Sequence, residues 1–263
     1  METFVNAPGS GETLRPRTEE ELAEMVRGAP AEGLAIEGGG TRGIGHPVPG
    51  ARLSVAGLAG ITLYEPGALT MVVRAGTPLA EVEAALAAEG QMLPFEPWDA
   101  RPIGGANGVP TVGGMVAVNA SGPRRIQAGA CRDSLIGVRF VDGTGAVVKN
   151  GGRVMKNVTG LDLVKLMAGS HGTLGVLTEL AFKVLPRPQA VATVVLGGLD
   201  DEAAGRAMRA ALATPFQVSG AAHRPGRGTF LRLEGFAGSV AYRAAELARA
   251  LAGFGAARVE EGP

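Results

Sequence analysis

Residues 34–43 read LAIEGGGTRG, an apolar strand pattern that runs directly into three consecutive glycines. The spacing Gly38-x-Gly40-x-x-Gly43 matches the dinucleotide-binding fingerprint of Rossmann folds, which requires a helix immediately after the loop. Residues 44–50, IGHPVPG, cannot form that helix because two prolines and two glycines interrupt it. We therefore predict that the loop binds an anion, naturally a pyrophosphate, through its own main-chain amides without a helix end. A purely structural turn is the alternative interpretation.

Two further clusters of small residues follow along the chain. Residues 112–122 read VGGMVAVNASG in an uncharged region, and residues 172–178 read GTLGVLT at the start of a strand pattern. Small residues allow a flat ligand to approach the main chain closely, and Asn119 and Ser121 offer hydrogen-bond donors and acceptors. Three such clusters predict a long ligand, and a dinucleotide has that length.

The composition excludes several classes of protein. The 263 residues include 25 Lys and Arg and 25 Asp and Glu, so the formal net charge is zero, which argues against a basic nucleic-acid binder. The single cysteine, Cys131, excludes an intrachain disulfide, and no histidine spacing predicts a metal site. Residues 1–10 lack a signal-peptide pattern, and prolines and glycines interrupt the uncharged run 102–123. We expect a cytoplasmic protein without a transmembrane segment.

The order of the predicted elements divides the chain near residue 187. Before that point, helices and strands surround the three small-residue clusters, and residues 97–129 form a long segment without periodicity. A connection of that length is usually functional or disordered, and its apolar residues argue against disorder. After a Pro-Arg-Pro boundary the patterns run β-α-β-β-α-β, which is a ferredoxin-like unit. We predict an α+β protein with a ligand-binding domain at 1–187 and a small cap at 188–263.

Five segments of the sequence form a joint pattern. They are the loop 37–43, residues 112–122, residues 129–137 with Arg132-Asp133, RVMKNVTGLDL at 153–163 and GSHGTLGVLTE at 169–179. Together they resemble the FAD-binding fold of the vanillyl-alcohol oxidase/p-cresol methylhydroxylase (PCMH-type) flavoproteins, and within it the FAD-binding E subunits of bacterial glycolate oxidases. The resemblance covers residues 12–187 and continues into the cap. It implies an FAD-binding PCMH-type domain of two α+β subdomains followed by the small ferredoxin-like cap.

The resemblance also implies which residues would contact FAD. The first loop would hold the pyrophosphate, and the other two clusters would line the rest of the cofactor. The residues are Gly38, Gly39, Gly40, Thr41, Arg42, Gly43, Thr111, Val112, Gly113, Gly114, Ala117, Asn119, Ser121, Gly122, Gly172, Thr173, Gly175 and Val176. The implied partners are a second FAD-binding subunit and an iron–sulfur subunit, which would act with this chain on glycolate. We expect a cytoplasmic location, at most peripheral to the inner membrane through these partners.

The sequence departs from the family pattern where some members bind flavin covalently. Thr41 stands where those relatives carry the attached histidine, so we expect noncovalent FAD. His46 is interpreted as a loop residue, and Cys131 as a small buried residue. The cap ends soon after its first split unit, so we expect turnover only as part of a complex.

A few residues are candidates for electrostatic or proton-transfer roles. Arg124, Arg125, Arg132 and Lys156 could raise the potential of a reduced flavin, and the alternative for each is a structural or surface ion pair. Oxidation of a hydroxy acid needs a general base, for which His171 in the third cluster is the candidate. The alternative is a loop histidine beside the flavin.

The sequence thus predicts an FAD-dependent oxidoreductase subunit of the glycolate oxidase type, which oxidises a 2-hydroxy acid together with a partner flavoprotein. Two alternatives stay open. One is a non-catalytic structural or assembly subunit, and the other is a flavin reductase of the same fold that acts on a nucleotide-sugar. Flavin absorbance of the purified protein would distinguish the predicted subunit from an empty structural one.

Overall fold

The fold is described by a computed structural model over residues 13–43, 49–104, 106–152 and 160–262. It consists of two units: Met1–Gly122 with Ala130–Leu185, and Pro123–Gly129 with Pro186–Pro263. The short segment Pro123–Gly129 therefore belongs to the second unit, although it precedes the rest of that unit in the sequence. From the sequence we expected a single boundary after residue 187, with a cofactor-binding part before it and a cap after it. These assignments stay predictions.

Both units contain helices and strands. The helices are α1 (Glu19–Arg27), α2 (Leu79–Ala88), α3 (Arg101–Gly104), α4 (Val112–Ala117), α5 (Arg125–Ala128), α6 (Cys131–Ser134), α7 (Leu163–Met167), α8 (Asp201–Leu212) and α9 (Ala237–Ala250). The strands are β1 (Leu34–Glu37), β2 (Ala51–Ser54), β3 (Ile61–Glu65), β4 (Thr70–Arg74), β5 (Gln91–Met92), β6 (Leu135–Val141), β7 (Val147–Gly151), β8 (Val176–Lys183), β9 (Leu185–Pro186), β10 (Ala190–Leu196), β11 (Gly220–Arg224), β12 (Gly228–Gly235) and β13 (Ala257–Glu261). Among the residues that the structure describes, no helix combines the length and apolarity needed to cross a membrane.

The segment 97–129 differs from the sequence-based expectation. It contains the short helices α3, α4 and α5, where the absence of periodicity predicted only loops. Helices of one or two turns are too short to show a 3.6-residue repeat, and the glycines of α4 hide its helical character further.

A five-stranded antiparallel sheet in the order β3-β4-β8-β6-β7 forms the centre of the first unit. In its middle strand, Leu180 of β8 lies opposite Val73 of β4. Alternate side chains of these strands point into one core, where the rings of Phe182 and Phe95 lie 6.4 Å apart between centroids. Met115 of α4 is fully buried in the same core, so the sheet fixes the position of that helix.

Strand β1 pairs in parallel with β2, outside the five-stranded sheet, and Glu37 lies opposite Ser54. A separate small core holds this pair, in which Leu22 of α1 and Leu53 of β2 are fully buried. The first glycine-rich loop, residues 38–43, therefore starts from the end of a strand that packing holds in place.

The second unit is an antiparallel sheet in the order β11-β12-β10-β13, covered on one face by α8 and α9. Small and branched residues such as Ala207, Val240 and Leu247 let these helices pack closely on the strands. The order β-α-β-β-α-β confirms the ferredoxin-like arrangement expected from the sequence.

Glu19, the first residue of α1, ties that helix to the central sheet of the first unit. Its carboxylate accepts hydrogen bonds from Arg139 and from the Thr178 hydroxyl. Burial by itself raises the pKa of Glu19, but the hydrogen bonds from Arg139 and Thr178 and the positive charges of Arg139 and Arg74 together hold the pKa below its ordinary value. A carboxyl with a lowered pKa stabilises the fold above its unfolded-state pKa, and this contribution is lost as the pH falls through the folded-state value.

We expect Glu19→Gln to lower the free energy of unfolding by about 1–2 kcal/mol at neutral pH, because Arg139 loses its partly buried counter-ion. The difference from the wild type should shrink below about pH 4, where the wild-type carboxyl also becomes protonated. Urea denaturation at several pH values measures both effects. Glu24→Gln, on an exposed site of the same helix, is the control and should change stability by less than about 0.5 kcal/mol. A loss in E19Q that stays constant with pH would contradict this assignment.

Candidate functional site

The loop after β1 packs its first two glycines on the main chain of the segment that precedes α4. A Cβ on Gly39 would overlap the carbonyl oxygen of Val109, and a Cβ on Gly108 would overlap the carbonyl oxygen of Gly39. A Cβ on Gly38 would overlap the hydroxyl of Thr111 in the same way. Glycine is therefore required at 39 and 108 because two backbone segments touch each other, and at 38 because the Thr111 side chain occupies the space of a Cβ.

The second half of the loop has a free face. Gly40 has a φ of +66°, in the left-handed region that favours glycine. A Cβ on Gly40 or on Gly43 would meet none of the described atoms within 4 Å. Thr41 between them is buried, 6% exposed, which fixes the course of the main chain. This half of the loop, Gly40–Gly43, is a cradle that side chains would fill and where a ligand can reach main-chain amides.

The start of α4 lies beside Gly38, but its amide groups are bonded within the protein. The bonds run from Val112 N–H to Thr77 O at 3.0 Å, from Gly113 N–H to Ala75 O at 2.7 Å, and from Gly114 N–H to Thr111 Oγ1 at 3.2 Å. These three donors of α4 are therefore not free for an anion, and the loop has no help from them. Thr111, Val112, Gly113 and Gly114 can contribute to a ligand site through shape alone.

Asn119 and Ser121, which the sequence suggested as partners of a ligand, hold a turn of the protein itself. Asn119 has a φ of +49°, and its Oδ1 accepts a hydrogen bond from Arg132 N at 3.0 Å. The Ser121 hydroxyl donates to Asn119 O at 3.0 Å and accepts from Cys131 N at 2.9 Å. A Cβ on Gly122 would overlap a main-chain carbonyl oxygen. The Asn119 Oδ1 and the Ser121 hydroxyl are thus engaged within the protein.

The third cluster lies against the other two. The main-chain N–H of His171 donates to Ala117 O, at the end of α4, at 2.8 Å. A Cβ on Gly172 would lie 3.6 Å from the side chain of Ile36, in the strand that leads into the first loop. A Cβ on Gly175 would lie 2.6 Å from a carbonyl oxygen of β6, so this glycine packs on the sheet. All three clusters are therefore neighbours in the first unit.

The remaining residues of the third cluster differ in their exposure. His171 is exposed and has a φ of +54°. Thr173 is also exposed, and its hydroxyl donates to Ser170 O at 2.7 Å. Val176, by contrast, is buried as the first residue of β8. His171, which directly precedes the cluster, and the exposed residues Thr173 and Leu174 are thus the ones whose side chains can meet a ligand.

Arg42, inside the cradle, carries the charge of the first loop. Its Nη2 donates to Trp98 O at 3.0 Å, and its guanidinium carbon lies 5.9 Å from the centroid of the Trp98 ring. Its Nε is buried and has no hydrogen-bond partner among the described residues. Burial lowers the pKa of Arg42, and the negative charges of Asp99 and Cys131 oppose this only in part.

The other cations suggested by the sequence have different surroundings. Arg124 Nη1 lies 3.4 Å from Glu234 Oε1 within the second unit. Arg132 Nε lies 3.8 Å from Asp133 Oδ1, and Asp133 Oδ2 accepts a hydrogen bond from Ala130 N. Arg125 is exposed on α5. His46 and Lys156 lie outside the described residues. Within the described ranges, no group of three or more His, Cys, Asp and Glu residues could hold a metal ion.

We expect Gly39→Ala to destabilise the first unit by about 2 kcal/mol or more, because the new methyl group would force the loop away from Val109. The Cβ of Gly43→Ala, four residues later, meets no described atom within 4 Å, so this variant should change the free energy of unfolding by less than about 0.5 kcal/mol. Urea denaturation of the ligand-free protein compares the two variants. Equal stability of both would mean that the loop does not pack on the main chain as described.

Solved structures show that this fold is known. Alkyldihydroxyacetonephosphate synthase superposes with a TM-score of 0.73 over 95% of this chain and 51% of its own, at 18% sequence identity. A second structure of the same enzyme, from another crystal form, gives a TM-score of 0.70 over 95% of this chain and 53% of its own, at 19% identity. At such identities the likeness concerns the fold alone.

Sequence comparisons identify the family to which the chain belongs. The chain is 49% identical to the glycolate oxidase subunit GlcE of Escherichia coli K12 over 158 residues, which is 60% of this chain and 43% of that protein. It is 32% identical to rat mitochondrial D-2-hydroxyglutarate dehydrogenase over 70% of this chain and 34% of that enzyme, and 31% identical to D-lactate dehydrogenase of Anaerostipes hadrus over 67% and 37%. The chain thus spans less than half the length of these relatives. The model of the FAD binding domain matches residues 12–151, more than half of the chain. The chain therefore belongs to the FAD binding domain family of flavin-dependent oxidoreductases, and its cofactor is FAD.

Proposed function

We propose that this chain is the FAD-binding subunit of a complex that oxidises glycolate, a 2-hydroxy acid, to glyoxylate. The partners would be a second FAD-binding subunit and an iron–sulfur subunit. The substrate is inferred from the 49% identity to a glycolate oxidase subunit. Two further relatives are named as dehydrogenases of 2-hydroxy acids. The match covers 43% of GlcE, so the activity of the whole GlcE protein is carried to this chain as a proposal.

The geometry of the first unit fits FAD at the cradle Gly40–Gly43. The free faces of Gly40 and Gly43 leave room for a diphosphate, and the main-chain amides between them are its natural donors. The exposed side chains of His171 and Thr173 would border the cofactor further along. FAD, when bound, would take up the hydride from the carbon that bears the hydroxyl group, while the hydroxyl proton passes to a base.

His171 is the base we propose for that proton. Its backbone is held by the hydrogen bond to Ala117 O at 2.8 Å, so its ring extends from a fixed point on the exposed side of the third cluster. His171→Gln should lower kcat of the assembled complex more than it lowers FAD occupancy. A loss of FAD in proportion to activity would instead assign this residue to cofactor binding.

We also propose that FAD is held without a covalent bond. Thr41 occupies the position at which covalent relatives carry histidine, and a threonine hydroxyl does not attach to flavin there. Burial raises the pKa of the Cys131 thiol to about 12, so the thiolate needed for attachment does not form near neutral pH.

Acid precipitation of the purified protein should therefore leave all yellow colour in the supernatant. Mass analysis of the released compound should give unmodified FAD, and the denatured polypeptide should have its unmodified mass. Flavin that stays with the pellet would overturn the noncovalent proposal, but not the assignment to the family.

We expect Gly43→Val to weaken FAD binding at least about tenfold without a loss of stability, because the side chain would fill the cradle and its Cβ meets no described atom within 4 Å. Titration of the apoprotein with FAD measures the affinity, and urea denaturation checks the fold. Gly143→Val, in an open turn between β6 and β7, is the matched control because its Cβ also meets no described atom within 4 Å. Unchanged affinity in G43V would place the cofactor elsewhere.

Activity is tested by coexpression with the neighbouring genes of the source genome. Glycolate-dependent reduction of a dye by the complex, which falls in G43V together with the FAD occupancy, supports a catalytic subunit. Full activity of a G43V complex whose subunit is shown to have lost its FAD would instead show a structural or assembly role. Reduction of a nucleotide-sugar by NAD(P)H would support the reductase alternative.

A further inference from the structure

We propose that the Arg42 side chain binds the diphosphate of FAD, so that a charged group of the loop supplements the main-chain amides. The inference rests on the proposed seat of FAD at the cradle Gly40–Gly43, and it adds a residue whose role no comparison specifies. It also goes beyond the sequence-based expectation, which named Arg42 among the FAD contacts but assigned the diphosphate to the main-chain amides of the loop.

The first argument is the unsatisfied state of the guanidinium. An arginine has five N–H donors in a planar fork, and burial of a donor without a partner costs free energy. Nη2 of Arg42 bonds to Trp98 O, and the guanidinium lies over the Trp98 ring. Nε is buried without a partner among the described residues. The side chain is thus held in one orientation while part of its fork lacks an acceptor.

The second argument is the missing counter-charge. The two groups whose negative charge acts on Arg42 are Asp99 and Cys131. Asp99 is engaged by Arg101, with an N–O distance of 2.8 Å and two further hydrogen bonds from the same guanidinium. Cys131 is a protonated thiol near neutral pH because burial raises its pKa to about 12. Among the described residues, the half-buried Arg42 therefore has no ion pair of its own and acts on Asp99 only in competition with Arg101.

The third argument is the position of Arg42 in the loop, which indicates the kind of anion that its side chain would bind. Arg42 lies between Gly40 and Gly43, whose free faces form the cradle. An anion seated there would meet the loop amides, and the Arg42 guanidinium of the same loop would match two of its oxygens with parallel hydrogen bonds. The diphosphate is thus favoured over the two other anions in reach of this chemistry, the reduced flavin ring and a substrate carboxylate.

The test compares the full-length apoprotein of wild type, Arg42→Gln and Arg42→Lys in titrations with FAD, ADP and riboflavin. R42Q should weaken FAD and ADP about 10- to 100-fold and leave riboflavin unchanged, because riboflavin lacks phosphate. R42K should recover part of the loss, since it keeps the charge without the fork. Added salt should weaken FAD binding to the wild type more than to R42Q. Arg224→Gln, at an exposed position of the second unit, is the control for a change of net charge.

The same variants separate this role from a structural one. Without FAD, R42Q should be at least as stable as the wild type in urea, because a half-buried charge with no ion pair of its own among the described residues is removed. Equal weakening of riboflavin and FAD, or unchanged affinity for all three ligands, would overturn the inference while leaving FAD binding intact. A shift in flavin reduction potential with unchanged ADP affinity would assign Arg42 to the flavin ring instead. Failure of the wild type itself to bind FAD would overturn the proposed function as well.

Discussion

The contact between the main chains of Gly39 and residues 108–109 is the constraint on which the candidate site depends. Each of the glycines at 39 and 108 lacks a side chain where the carbonyl group of the other segment passes. This close approach holds the first half of the loop against the segment that leads into α4. The second half is then left with its face open. One backbone contact thus determines both the rigid and the accessible part of the loop.

The sequence predicted the second unit well and the middle of the first unit poorly, for the same physical reason. Strands such as β10 and helices such as α8 are long enough for their apolar periodicity to identify them. Helix α4 has six residues, two of them glycine, and its stability comes from burial of Met115 in the core. Tertiary packing of this kind leaves no local signal, so residues 97–129 could not be assigned from the sequence.

The sequence also brought the three clusters to one site without distinguishing what their glycines do. Small residues permit close approach, but they do not show whether a ligand or the protein's own backbone approaches. At Gly39 and Gly122 it is the protein, whereas a Cβ on Gly40 or Gly43 would meet no described atom within 4 Å. Arg42 shows the opposite limitation. The sequence shows that residue 42 is an arginine. It does not show that the side chain packs on Trp98, more than 50 positions away, or that its buried Nε has no partner among the described residues.

The arrangement couples cofactor binding to the stability of the first unit. Because α4 uses its first-turn amides internally, an anion at the cradle is held by a loop whose shape comes from long-range packing rather than from a helix end. A ligand that binds only this folded shape stabilises it by mass action. The same ligand would neutralise a cation that has no ion pair of its own among the described residues. The free energy lost in burying that charge in the apoprotein would then be returned on binding, which makes the loop selective for a ligand that carries phosphate.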